Sequence, residues 1–96
     1  MIIAQVRVPR TEPISLEDVA AIFVSTAPKY QGRQGLRTKV YTRSEDGLIV
    51  GALYFWDSRA DAEATYTPAW REMVTSKYGT APEITFFDAP VVVDNG

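Results

Sequence analysis

Tyr54, Trp56, Tyr66 and Trp70 are the residues of this chain whose types best suit small-molecule chemistry. Each offers a large flat face with one polar atom at its tip, and an apolar cavity with two or three convergent polar groups is what a flat aromatic ligand needs. Lys39, two residues before Tyr41, adds a cation that would bind an anionic substrate or lower the pKa of a phenol. The same residue types also have a purely structural use. Aromatic rings dominate the cores of small proteins, and their polar tips find partners there; a strand lysine is commonly a solvated rim residue. Both readings of the set stay open, and no residue is singled out as catalytic.

The chain contains no cysteine and no histidine. That removes Ser-His-Asp and Cys-His nucleophiles, thiolate or imidazole metal sites and histidine-ligated haem. No glycine-rich phosphate loop points to flavin or nicotinamide, so no cofactor is expected. General acid and base work is left to carboxylates, lysine, tyrosine or the substrate itself. Asp88, between Phe87 and Ala89, would be a base if desolvated, but a charge that protects an edge strand accounts for it as well. Asp57 and Asp61 are explained by helix capping. A net charge of -2 argues against nucleic acid, whose phosphates call for a basic field.

These side chains are positioned by six expected elements. Ile2 to Val8 alternates and ends at Pro9, a first strand. Ser15 caps a helix with Glu17 and Asp18 in its first turn, and Leu16, Val19, Ala20, Phe23, Ala27 and Tyr30 recur at helical spacing as its buried stripe. Leu36 to Trp56 reads as a hairpin through Ser44-Glu45-Asp46-Gly47, a three-residue loop closed by a left-handed glycine. That loop pairs Ser44 with Leu48 and sets Tyr41 opposite Gly51. It puts Leu36, Thr38, Val40, Val50, Ala52, Tyr54 and Trp56 on one face and Arg37, Lys39, Tyr41, Arg43, Ile49, Leu53 and Phe55 on the other. A two-residue Asp46-Gly47 turn would swap the pairing. Asp57-Ser58 with Asp61 starts a second helix, which Thr67-Pro68 breaks and restarts and Gly79 ends. The last strand is expected over Glu83 to Val93, held to an edge or a bulge by Pro90.

The order βαββαβ is that of a ferredoxin-like α+β domain spanning residues 1–96, a four-stranded antiparallel sheet with its helices on one face. The other face would expose Ile49, Leu53, Phe55, Phe87 and Val91, a patch larger than a soluble monomer usually carries. Its most economical cover is the same face of a second copy, which makes the expected assembly a homodimeric α+β barrel. The longest apolar run, Leu48 to Trp56, falls far short of the ~18 residues of a membrane span. The N-terminus shows no secretion signal. A cytoplasmic protein without membrane partners is therefore expected.

Gly35-Leu36, Lys39-Val40-Tyr41 and Gly51-Ala52-Leu53-Tyr54-Phe55-Trp56, followed by an alanine-rich helix with Tyr66, resemble the small YdhR-type monooxygenases of the dimeric α+β barrel superfamily. Lys39 occupies the matching position on the second strand. The resemblance extends to the antibiotic-biosynthesis monooxygenases, which oxidise electron-rich polycyclic aromatics without metal or flavin. Haem-degrading relatives use a histidine that this chain lacks. What the resemblance implies is cofactor-independent oxidation of a small aromatic or quinol-type substrate by dioxygen, with Tyr54, Trp56, Tyr66 and Trp70 as the pocket. Lys39 and Tyr41 would join it only if the face assignment were reversed or the pocket opened into the barrel. The alternative is a small-ligand-binding or stress-related barrel without turnover. The RNA-recognition module shares the element order, but the missing basic surplus argues against it.

Overall fold

In the computed structural model, which describes residues 1–96, four strands form one antiparallel sheet in the order β2-β3-β1-β4. They are β1 (Ile2–Pro9), β2 (Leu36–Arg43), β3 (Ile49–Trp56) and β4 (Glu83–Asp88), interleaved with helices α1 (Leu16–Thr26), α2 (Arg59–Thr65) and α3 (Pro68–Tyr78). This is the ferredoxin-like βαββαβ arrangement. β3 is central and uncharged because both its neighbours and the helices cover it. Val50, Ala52, Tyr54 and Trp56 alternate inward with Ala4, Val6 and Val8 of β1, and all seven are buried.

The local signals behind the helices are met by side chains. Ser15 accepts from the Asp18 amide, Ser58 from Asp61 and Thr67 from Trp70, so each helix start has an orphan donor satisfied. Pro28 converts the end of α1 into a 3-10 helix, Ala27–Tyr30. Between α2 and α3 the chain leaves helical geometry at Tyr66 (φ -85°, ψ 57°), and the break turns that ring into the core. Gly79, in the left-handed conformation, ends α3.

The hairpin differs from expectation by one residue. Gly47 does have positive φ (74°), and its amide bonds Ser44 O at 2.9 Å, but the loop is Glu45–Leu48, and Ser44 pairs with Ile49 instead of Leu48. The cause is polar closure by side chains. Asp46 Oδ1 accepts from the Leu48 amide at 3.0 Å and Ser44 Oγ from the Ile49 amide at 2.9 Å, which satisfies the extra residue's backbone. The pairing therefore swaps: Tyr41 faces Ala52, Lys39 faces Tyr54 and Gly51 faces Thr42. Lys39, Tyr41 and Arg43 thus lie on the helix side, and Thr38, Val40 and Thr42 on the open face. A bulge between Leu36 and Thr38 absorbs the slip, so Leu36 still meets Trp56. Arg43 finds its partners at the sheet rim, donating to Ile14 O and Glu45 O.

Two further expectations are corrected. Leu16 (67% exposed) and Ala20 lie outside the buried stripe of α1, which runs through Val19 and Phe23 to Thr26. The last strand ends at Asp88 and does not reach Val93, so Val91 sits beyond the sheet. β4 is an edge strand as Pro90 required, although Pro90 itself lies past its end. No helix is long and apolar enough to cross a membrane.

Candidate functional site

Between the sheet and the helices runs a narrow cleft. Its walls come from Val6 and Val8 of β1, Lys39 and Tyr41 of β2, Tyr54 of β3, Phe23 and Thr26 of α1, Tyr30 of the 3-10 helix and Trp70, Val74 and Tyr78 of α3. Its free volume is about 40 Å³, room for a few waters and no ring system. Tyr30, Lys39 and Tyr41 also form the inner wall of an open groove of about 280 Å³, bordered by Gln31, Gly32, Leu36 and Arg37. These three side chains are shared by the cleft and the groove.

Lys39 is the centre of this wall. Its Nζ lies 3.4 Å from the ring centroid of Tyr30, 4.0 Å from that of Tyr41 and 4.6 Å from that of Tyr54. No ion pair neutralises it, since the three in the chain are Arg7–Glu83, Arg37–Asp57 and Arg59–Glu63. Burial lowers the Lys39 pKa from 10.5 to about 7. The three ring faces attract an ammonium and work in the opposite direction. Lys39 is thus the group of the cleft whose protonation changes nearest neutrality.

The phenols around it stay protonated. Burial pushes Tyr54 far above its ordinary range, and the neighbouring Tyr30 adds to that. Burial also raises Tyr66, against a hydrogen bond from Trp56, and lifts Tyr78 to about 12. Tyr41 moves up for the same reason, opposed by the bond its hydroxyl shares with Thr26 Oγ1 at 2.7 Å. Near neutral pH these hydroxyls are hydrogen-bond donors, not bases.

The six residues singled out from the sequence do not all reach the cleft. Lys39, Tyr41, Tyr54 and Trp70 line it. Trp56 (0% exposed) and Tyr66 (7%) form a layer behind, where Trp56 Nε1 donates to Tyr66 OH at 3.1 Å and the two rings meet edge to face at 6.0 Å. Trp70 Nε1 donates to Tyr30 OH at 3.0 Å and so ties α3 to the 3-10 helix across the cleft mouth. Thr26 and Tyr78 were not among the sequence candidates. Thr26 follows Val19 and Phe23 at helical spacing and Tyr78 follows Val74 at i+4, so periodicity alone would have placed both on the inner faces. Asp57, Asp61 and Asp88 stay away from the cleft: Asp57 pairs with Arg37, Asp61 accepts from Ser58 Oγ, and Asp88 is exposed at the end of β4. Nowhere do three carboxylates gather in a group that would hold a metal ion.

No protein-family model matches the sequence, and no curated protein is significantly similar to it. Solved structures do share its fold. A monooxygenase from the ActVA-Orf6 gene of Streptomyces coelicolor, determined in complex with nanaomycin D, superposes with a TM-score of 0.72 at 16% identity over 99% of this chain and 92% of that one. A protein of Deinococcus radiodurans described as an antibiotic biosynthesis monooxygenase gives 0.66 at 16% identity over 98% and 97%. One of Caulobacter crescentus with the same description gives 0.63 at 21% identity over 92% and 89%. These neighbours share the fold that the resemblance carried by the hairpin and the aromatic strand implied.

Proposed function

We propose that the protein is a monooxygenase that oxidises a small aromatic or quinol-type substrate with dioxygen and without a bound cofactor. The observation that carries this reading is the cluster of Tyr30, Lys39 and Tyr41 where an aromatic cleft meets a groove on the surface. A flat ring can approach it from outside and meet phenol hydroxyls and an unpaired amine. The fold shared with a protein described as an antibiotic biosynthesis monooxygenase and with a monooxygenase bound to nanaomycin D supports the same reaction class.

In that reaction the substrate itself gives an electron to dioxygen, which requires an electron-rich, ionisable compound such as a hydroquinone or an anthrone. For the anthrone the balance is a ring CH₂ plus O₂ going to C=O plus water. The protein contributes exclusion of water and donors aimed at developing negative charge. Tyr54 is the donor inside the cleft, Tyr41 stands at its mouth, Trp70 Nε1 is engaged by Tyr30 OH until that side chain moves, and Trp56 and Tyr66 hold the layer behind. The 40 Å³ interior admits a ring only when Tyr30 moves, and Gly32, at φ 72°, follows it as the point where the chain can turn.

The working unit in this reading is a cytoplasmic homodimer. The sheet face away from the helices carries Val40 (45% exposed) and Phe87 (48%) beside half-buried Ile3, Leu53 and Phe55, and only one face has helices to cover it. A second copy laid on the open face would complete a barrel. The small interior favours one rival, a barrel that binds an aromatic ligand in the outer groove without turnover. Oxygen uptake and tryptophan fluorescence followed together over a panel of quinols separate the two. Saturable quenching with protein-dependent uptake supports the oxygenase; quenching without uptake supports the binding protein.

A further inference from the structure

We propose that Lys39 is the acceptor of the substrate's acidic proton, so that a phenol or enol entering the groove is held as its anion against the Lys39 ammonium. The proposal deepens the oxygenase reading and names the chemical class the site selects: neutral, weakly acidic hydroxyaromatics.

Three observations converge. The amine is unpaired and surrounded by the faces of Tyr30, Tyr41 and Tyr54, which stabilise it once it is charged. No carboxylate lines the cleft or the groove, so nothing there competes for the ammonium or repels an anion. The remaining charged side chains bordering the two spaces are Lys77 of α3, on the cleft, and Arg37 of β2, on the groove, both cations. The titratable groups facing Lys39 are otherwise phenols: Tyr30 from the 3-10 helix, Tyr41 from its own strand, Tyr54 from β3 and, across the cleft, Tyr78 from α3. Tyr41, Tyr54 and Tyr78 are held protonated by burial. The lysine is therefore the base available at neutral pH.

The step balances simply. The substrate O–H bond breaks, its electron pair stays on oxygen, and the proton forms the third N–H of Lys39. The unprotonated amine and a neutral substrate leave as an ion pair, so above pH 7, where Lys39 is mostly unprotonated, binding exchanges little net proton with the medium. The anion is the electron-rich form that dioxygen chemistry needs.

The test uses meta-nitrophenol, which is largely neutral in solution at neutral pH, absorbs in the visible once ionised, and is not a quinol substrate. Binding to the folded wild-type protein is followed by the phenolate band and by proton release in weak buffer, with Lys39→Met and Lys39→Arg alongside. At about pH 7.5, where Lys39 is mostly unprotonated and the dye still mostly neutral, the expected result is a phenolate band with little proton released in wild type, loss of the band in Lys39→Met, and a band with close to one proton released per bound dye in Lys39→Arg, whose guanidinium is already charged. A dye bound colourless by wild type, a dye that does not bind, or a band that survives Lys39→Met overturns the proposal. Should Lys39→Met fail to fold, the difference in proton release between wild type and Lys39→Arg decides. Because the dye is not oxidised, its result is independent of turnover: capture of the phenolate without oxygen uptake on quinols would refute the oxygenase reading and leave the role of Lys39 standing.

Discussion

Lys39 stands opposite Tyr54 across the β2–β3 ladder, and its Nζ reaches 3.4 Å from the centre of the Tyr30 ring. A strand pairing thus brings a cation under three phenols.

The first prediction concerns pH. Lys39 is lowered from 10.5 to about 7 by burial, so between these values the unfolded chain holds a proton that the folded chain has released. Stability contributed by this group therefore rises with pH from about 7 to about 10.5, and the full cost of burying the ammonium is felt below 7. Lys39→Met removes the term. Urea midpoints should show the variant at its greatest advantage near pH 6, with the gap closing as pH rises towards 10; a gap independent of pH would show that the amine titrates normally.

The Trp70–Tyr30 hydrogen bond is the tie across the cleft mouth. Tyr30→Phe should cost about 1 kcal/mol of stability, the usual worth of such a bond, and should free the 3-10 helix. Quinol quenching of tryptophan fluorescence should then reach saturation faster than in wild type. Slower or unchanged binding kinetics would mean that Tyr30 does not gate the cleft.

At Gly47 the backbone has φ 74°, and a β-carbon would lie 2.6 Å from Ile14 O, which belongs to the loop that the hairpin holds down. Gly47→Val should destabilise by roughly 1–3 kcal/mol through backbone strain, with the crowding of Ile14 added. An unchanged urea midpoint would exclude this turn geometry.

Gly51 tests the sheet itself. It pairs with both Arg7 and Thr42, and a β-carbon there would overlap the Val6 carbonyl. Gly51→Ala should cost about 2 kcal/mol or more, since β1 must shift to make room. Thermal unfolding would show it as a lower midpoint with the Lys39 titration disturbed.

On the open face, Leu53→Asp places a charge where the second copy is proposed to pack. The dimer should weaken at least about tenfold, or ~1.4 kcal/mol, because the carboxylate would lose its water there. Sedimentation of wild type as a monomer at micromolar concentration would remove the homodimer from the proposal.

The sequence by itself determined the elements and most of their ends. Ser15, Ser58 and Thr67 cap helices because a side-chain oxygen beside a free amide is a local matter, and Pro28, Pro68 and Gly79 act through their own backbone constraints. The uncharged β3, with its inward Tyr54 and Trp56, was equally legible, since an uncharged apolar run of this length marks a central strand. Only the tertiary structure decided which way β2 faces. Its two parities, Leu36, Thr38, Val40 and Thr42 against Arg37, Lys39, Tyr41 and Arg43, each mix polar with apolar groups, so the hydrophobic pattern does not choose between them. The choice fell to side chains closing the loop at Ser44 and Asp46 and to a bulge after Leu36, contributions of about 1 kcal/mol each that no periodicity reports. Because strand side chains alternate, that single-residue slip carried Lys39 and Tyr41 from the open face into the cleft.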